Sequence, residues 1–410
     1  MASASLDPAF PPAGRDFGVI TLVAFVHGIS HFFQLVMPSL FPWLMSDFGL
    51  DFTTVGLAMS VFFVISGFGQ AAAGFAVDRF GALRVLVFGV ACLGVASLLI
   101  AVADGLAGLV LAAAVAGCGN AVFHPADFSL LNRRVSERRL GHAFSAHGLS
   151  GNIGWALAPL FVVGLASSAG WRAAAVGTAL IAFAGVASLL LWRHLLADEP
   201  RPARARAGSA STLDFIRVPA VWLCFVFFFC VTLAFGAFQN YGTPLLQALY
   251  GLELTAAASG LSAFLFAAAV GVFAGGFLAG RTGNHDRLVA AFLSAAGVVA
   301  VALALGVVPP GAAVAGIAAI GFCTGLAGPS RDILVRRAAT ARFGSSAYGR
   351  IYGLVYSGLD AGMALSPLVF GPMMDGALFA AVMGTIAVLQ FAAVGAALAA
   401  ARSVAAPAAA

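Results

Sequence analysis

Residues 120–159 read NAVFHPADFSLLNRRVSERRLGHAFSAHGLSGNIGWALAP. The stretch holds the tail of one apolar segment, a short arginine-rich turn and the first two-thirds of the next apolar segment. A second copy follows about two hundred residues on, where Gly328–Pro329–Ser330–Arg331–Asp332 precedes Arg336–Arg337 and then Tyr348 to Pro367. A shift of 208 places Gly141 on Gly349, Asn152 on Asp360, Gly154 on Gly362 and Pro159 on Pro367. The echo predicts a duplicated helical bundle with polar residues at corresponding depths in its two halves. Internal repeats of this kind are a signature of membrane carriers.

Composition agrees. The chain has 410 residues, 61% hydrophobic and only 9% charged, far too apolar for a water-facing exterior. Apolar runs of eighteen or more residues recur, each long enough to cross a bilayer as a helix. All 21 basic side chains are arginine, and the net charge is +5. Cys92, Cys118, Cys224, Cys230 and Cys323 lie inside apolar runs with no CxxC pair, so they read as small hydrophobes. The first sixteen residues carry three prolines and no basic leader, and are expected to be a tail before an uncleaved first helix.

Twelve spans are expected, near 17–45, 52–77, 83–103, 106–131, 140–166, 171–192, 219–249, 255–280, 287–307, 311–337, 347–373 and 376–401. The fold class is therefore an all-α polytopic membrane protein of two pseudo-symmetric six-helix bundles. Residues 1–16 form the N-terminal tail, 17–193 the first bundle, 194–214 a polar linker, 215–402 the second bundle and 403–410 the C-terminal tail. Pro38, Pro42, Pro125, Pro159, Pro244, Pro329 and Pro367 are expected to bend their helices. Gly271–Gly275–Gly280 and Gly321–Gly325 are expected to permit close helix contact. Alternating spans put twenty arginines on one side and only Arg172 on the other. The rich side is expected to be cytoplasmic, with both termini, in an inner or plasma membrane. The arginines are thus topology anchors, and no nucleic-acid partner is expected.

After the second span comes Gly74–Phe–Ala–Val–Asp78–Arg79–Phe–Gly81–Ala–Leu–Arg84. Glycine permits the tight turn, and Asp78 can pair with a neighbouring arginine or cap a helix. The motif resembles the G-x-x-x-D-R-x-G-x-x-R loop of the major facilitator superfamily, at every signature position. The second half repeats it weakly at Gly276–Arg287, with Gly280 in place of the aspartate. Within that superfamily the chain looks most like the fosmidomycin-resistance group, through Ser30–His31 with Pro38 and Pro42, Phe123–His124–Pro125, and Gly151–Asn152–Ile–Gly154 before Pro159. In that group an acid directly follows His-Pro, whereas here Ala126 precedes Asp127. The resemblance implies proton-driven export of a small anionic or amphipathic molecule.

Helical rise, about 1.5 Å per residue, gives each polar residue a depth. His27 and His31 come out roughly 15 and 21 Å from the arginine-rich side, and Asn152 and Asp360 roughly 16 to 20 Å. Asn120 falls near mid-depth, whereas His124 and Asp127 fall towards the arginine-rich mouth, roughly 27 and 31 Å from the far edge. Histidines and asparagines at such depths can equally be packing residues hydrogen-bonded to neighbouring helices. An ionised acid there needs a partner, a wet cavity or a proton. His27/His31 and His124/Asp127 share helix faces and could hold a transition metal, but no cysteine or methionine motif accompanies them and no metal site is assigned. No phosphate loop or nucleophile elbow is present, so neither enzymatic activity nor a cofactor is expected.

The resulting expectation is a monomeric secondary transporter working by alternating access. Its cavity should be lined mainly by spans 1, 4, 7 and 10, with His31, Gln34, Asn120, His124, Gln239, Asn240 and Thr324 as substrate-binding candidates. Asp360, His31 and Asp127 are the proton-coupling candidates, histidine because it titrates near neutral pH. Asp78, Arg79, Arg84, Arg133 and Arg134 are expected to gate the arginine-rich end. The cargo is read as a drug-like or anionic compound leaving against protons; the alternative is an importer of a small organic anion or a transition metal ion. Topology is tested by reporter tags at both ends and within 194–214. All three should report the cytoplasm, and a tag at either end found outside would defeat the twelve-span reading.

Overall fold

The computed structural model describes residues 13–196, 219–343 and 348–405. Most of the expected linker, and with it Arg201, Arg204, Arg206 and Arg217, lies outside them. So do the side chains of Arg336, Arg337, Arg342 and Arg350. The described residues form fifteen α-helices. In the first half these are α1 (Ala13–Gln34), α2 (Val36–Phe48), α3 (Phe52–Phe80), α4 (Ala82–Val102), α5 (Leu106–Asn120), α6 (Phe123–Arg134), α7 (Leu140–Ala169) and α8 (Trp171–Leu191). A single turn, α9 (Arg193–Leu196), closes that half. The second half contains α10 (Pro219–Tyr250), α11 (Leu254–Ala279), α12 (His285–Ala304), α13 (Ala313–Phe343), α14 (Tyr348–Asp375) and α15 (Phe379–Ala405).

Among the described residues, eleven helical stretches are long and apolar enough to cross a membrane, with α1–α2 and α5–α6 each counting as one. The helix α14 takes the place of the remaining expected span. Large apolar side chains such as Phe17, Phe68, Phe75 and Leu191 point outward, as a lipid-facing exterior requires.

Two of the seven prolines interrupt their spans. The first span breaks at Leu35 and the fourth at Ala121–Val122. In each case a proline follows, Pro38 or Pro125, whose missing N–H would have bonded the carbonyl four residues back, on Gln34 or Ala121. Pro42, Pro159, Pro244, Pro329 and Pro367 sit inside continuous helices. The breaks therefore fall beside the polar residues Gln34, Asn120 and His124.

The duplication is visible in the packing. In the first half α1 lies against α7, α3 against α5, and α4 against α8; in the second, α10 lies against α14, α11 against α13, and α12 against α15. The first of these pairings is a backbone contact in both copies. A side chain on Gly154 of α7 would collide with the Gly28 carbonyl of α1, and one on Gly362 of α14 with Thr232 and, at 2.7 Å, the Phe229 carbonyl of α10. Gly154 and Gly362 are the pair related by the shift of 208. Gly271 and Gly275 of α11 interlock with Gly321 and Gly325 of α13 in the same manner, and Gly280 caps α11 instead. Without a hydrophobic driving force between helices in lipid, such close backbone approach supplies the association. The halves meet along two seams, α3 with α14 and α7 with α11.

At the arginine-poor end the α3–α14 seam carries a polar latch. Asp375, the last residue of α14, accepts hydrogen bonds from the Phe52 and Thr53 amides at 2.7 and 2.9 Å, and from the Thr53 hydroxyl. A carboxylate on a helix N-terminus is stabilised by the free amides and the helix dipole. Asp51 caps the same helix through Thr54, and that hydrogen bonding holds its carboxyl below the usual carboxylate range. The Tyr241 hydroxyl of α10 lies 3.2 Å from the Phe52 carbonyl and 3.3 Å from the Pro367 carbonyl. Arg172, alone on this side, pairs with Asp47 at 3.8 Å and stacks on Trp171.

At the arginine-rich end Asp78 pairs with Arg133 at 3.7 Å, both side chains being partly exposed. Exposed pairs of this kind contribute about 0–1 kcal/mol. A stronger tie is made by Asp16, which is fully buried and accepts from the Ser136 hydroxyl at 2.6 Å and from Arg139 at 3.0 Å. It staples the start of α1 to the turn after α6. Arg79 packs over Phe80. Replacing Asp375 by alanine should remove about 1 kcal/mol from the latch, shifting the balance between closed and open arginine-poor ends by roughly fivefold. Spin labels on the α2–α3 and α14–α15 turns should then show a larger population of long distances; an unchanged distribution would show that the latch does not hold this end.

Candidate functional site

The closest polar cluster in the first half is built on the α1–α7 contact. His27, His31 and Gln34 share one face of α1, four and three residues apart. His147, Gly151 and Trp155 share one face of α7, four residues apart, and the two faces oppose each other. Gly151 makes room for the imidazoles: a side chain there would come within 2.8 Å of His31 and 3.2 Å of His27. The His27 and His147 rings stack at 3.4 Å, and His31 lies 4.5 Å from His27 and 4.3 Å from Trp155 between ring centroids.

The third wall is α6. Asp127 is fully buried, and its Oδ2 accepts from His27 Nδ1 at 3.0 Å and from His147 Nε2 at 3.2 Å. His124, one turn earlier, sits 5.3 Å from His27 and 5.9 Å from His147 between centroids. Asp127 is therefore level with His27, which helical rise placed near mid-depth, and not at the mouth. The span is interrupted at Ala121–Val122, between the far edge and Asp127, whereas the depth arithmetic took it as one straight helix. His147 was not among the expected residues. Its signal was the four-residue spacing with Gly151 and Trp155, which gives one face a histidine, a gap and an indole.

A chain of hydrogen bonds extends the cluster. Trp155 Nε1 donates to Gln34 Oε1 at 3.0 Å, Gln34 Nε2 to Asn120 Oδ1 at 3.3 Å, and Asn120 Nδ2 to Ser66 of α3 at 2.8 Å. Each side-chain amide thus has its orientation set by a neighbour, as buried polar networks require.

This network forms one wall of a cavity of about 430 Å³ between the halves. His31, Gln34, Asn120 and His124 line it from the first half, with Gln70 and Trp155; Thr232, Phe235 and Asp360 line it from the second. Asp360 lies against Gly67 of α3, where an added Cβ would stand 3.3 Å from its own Cβ. Among the described residues no hydrogen-bond or ion-pair partner meets its carboxylate. The walls are the spans 1, 2, 4, 5, 7 and 11, so the expected tenth span is absent from them. Thr324 of that span bonds its own helix at Ile320. Gln239 and Asn240 are buried outside the cavity. Gln239 continues the Thr232–Phe235 face of α10 one turn farther towards the latched end, where neither atom of its amide has a partner among the described residues. Asn152, the counterpart of Asp360, sits on the other seam, in a second cleft between α7 and α11.

Comparison with known proteins agrees with this architecture. The Major Facilitator Superfamily model matches residues 20–367. The fosmidomycin resistance protein of Escherichia coli (strain K12) is 28% identical over 276 residues, 66% of this chain and 67% of that one. A bacterial homolog of the human lysosomal transporter Spinster, in an inward-facing and occupied conformation, superposes with a TM-score of 0.74 at 17% identity, over 96% of this chain and 98% of that one. The nucleoside transporter NupG gives 0.75 at 13% identity, over 93% and 99%. With eleven candidate spans and α14 among the described residues arranged in two repeated halves, a cavity between them and a family match over most of its length, the chain belongs to the major facilitator superfamily and is a membrane transporter, not an enzyme.

Proposed function

We propose that the chain exports a small drug-like or anionic compound in exchange for protons, by alternating access between the two halves. The observation that carries this reading is Asp360, an acid in the cavity wall whose carboxylate meets no hydrogen-bond or ion-pair partner among the described residues. An intramembrane acid without a counter-charge is expensive unless it takes a proton or a ligand, and here it faces the space where cargo binds. Taking a proton from one side and losing it to the other couples the cavity to a gradient. Of the three coupling candidates, Asp360 is the one set in the second half and open to the cavity.

Two further features support alternation. The arginine-poor end is latched through Asp375 and Tyr241, which join the halves across the α3–α14 seam. Beneath that latch Gln239, buried one turn beyond the cavity-lining part of α10, has no amide partner among the described residues. A buried amide without partners costs roughly 1–3 kcal/mol, and opening of this end would bring it to cargo or water. The polar network of His31, Gln34, Asn120 and Trp155 offers both donors and acceptors, suited to a compound with polar or charged groups. Fosmidomycin, named by the relative, is the first cargo to try.

The test uses proteoliposomes with an imposed pH gradient and labelled fosmidomycin. Asp360→Asn should abolish gradient-driven accumulation, by tenfold or more, while cargo-for-cargo exchange continues. Retained exchange shows that the variant is folded and binds. Full gradient-driven transport by Asp360→Asn would overturn the coupling assignment, and transport that needs sodium in the unmodified chain would replace protons as the driving ion.

A further inference from the structure

His27 of α1, His124 of α6 and His147 of α7 can each present one ring nitrogen such that the three atoms lie within 4.8 Å of one another. These residues are 97, 23 and 120 positions apart in the chain and meet only through the fold. Neither of the histidine pairings visible in the sequence contains this triad. The surroundings are those of a metal site. Metal-bound imidazole characteristically donates its other ring N–H to a carboxylate, which sets its tautomer and aims its lone pair. Asp127 Oδ2 takes that donation from both His27 Nδ1 and His147 Nε2, leaving His27 Nε2 and His147 Nδ1 with lone pairs. His124 Nδ1 and Asp127 Oδ1 are buried and have no hydrogen-bond partner among the described residues. Three imidazoles, one carboxylate and two unpartnered polar atoms are thus gathered at one place inside the protein. The cluster has an entrance as well, because His124 lines the central cavity.

We propose that His27, His124 and His147 form a binding site for a divalent transition cation of the zinc type, with Asp127 as the carboxylate that positions two of the three imidazoles. Three neutral imidazoles suit borderline metals rather than magnesium or calcium, which take oxygen ligands. Zn–N bonds of about 2.0–2.1 Å set tetrahedral nitrogens roughly 3.4 Å apart, so no pair of rings would need to close by more than about 1.4 Å. The fourth position would face the cavity, as in open three-histidine sites. An occupied site would tie α1, α6 and α7 together at mid-depth. The proposal does not rest on the proton reading, which concerns Asp360 in the other half.

Untagged, purified full-length chain is titrated with ZnCl₂ by calorimetry, and with CoCl₂ followed by visible absorption. One Zn²⁺ per chain is expected. His27→Ala, His124→Ala and His147→Ala should each weaken binding at least tenfold, and Asp127→Asn by roughly 10–100-fold. His142→Ala, on an exposed part of α7, should bind as the unmodified chain does. Thermal melts report whether each variant is folded. X-ray absorption on the zinc-loaded unmodified chain needs no variant and should show three imidazole ligands. Absence of stoichiometric binding by the unmodified chain, a zinc shell with fewer than two imidazoles, or undiminished binding in all three histidine variants overturns the proposal.

Discussion

The contact on which the rest depends is the approach of two helix backbones, α1 and α7, at Gly28 and Gly154. Lipid offers little to press helices together, so association needs close van der Waals packing and satisfied polar groups. Removing the side chain from Gly154 lets α7 seat on the α1 carbonyl, and removing it from Gly151, a turn away, opens the space that two imidazoles occupy. The same geometry that holds the half together therefore builds its polar cluster. Once α1 and α7 are in register, His27 and His147 stack, Asp127 from α6 closes over them, and Trp155 reaches Gln34. A larger residue at either glycine would disturb fold and site at once.

The two halves use one contact for different chemistry. In the second half Gly362 seats α14 on α10 as Gly154 seats α7 on α1, but the space beside it holds Thr232, whose hydroxyl bonds the Phe228 carbonyl of its own helix. The imidazole cluster has no counterpart among the described residues there. What the second half contributes instead is one acid, Asp360, on the α3–α14 seam, where the first half has the neutral Asn152 on the α7–α11 seam. The repeat supplies the scaffold twice, and the polar residues divide the labour across it.

Much of this was legible in the sequence because it is local or periodic. The shift of 208 that aligns Gly154 with Gly362 predicted a duplicated bundle, and the glycines at 271, 275, 321 and 325 marked helices able to approach closely, though not which helices meet. Depth put His31, Asn120 and Asp360 near mid-membrane, and all three line the cavity, as does His124, which the same arithmetic sent towards the mouth. Depth arithmetic failed where a span breaks: it sent Asp127 to the mouth, although it lies beside His27. His147 escaped notice because one histidine on an apolar helix has no partner within its own segment; its partners sit 120 and 20 residues away. Gln239 and Asn240 were right for polarity and wrong for the cavity, since sequence carries no record of which end of a transporter is shut. Asp16 and Asp375, which tie the ends, are ordinary helix-terminal acids until the structure shows what they cap.

The Tyr241 hydroxyl has a single proton and two carbonyls within reach, Phe52 in the first half and Pro367 in its own. Parting the halves deprives it of one acceptor and leaves the other in place. A donor with a reserve acceptor crosses from the shut to the open arrangement without ever being stranded in a dry interior, the event that makes buried polar contacts hard to break. The energetic levelness that a carrier needs between its two states is, at this residue, a matter of one hydrogen turning through a small angle.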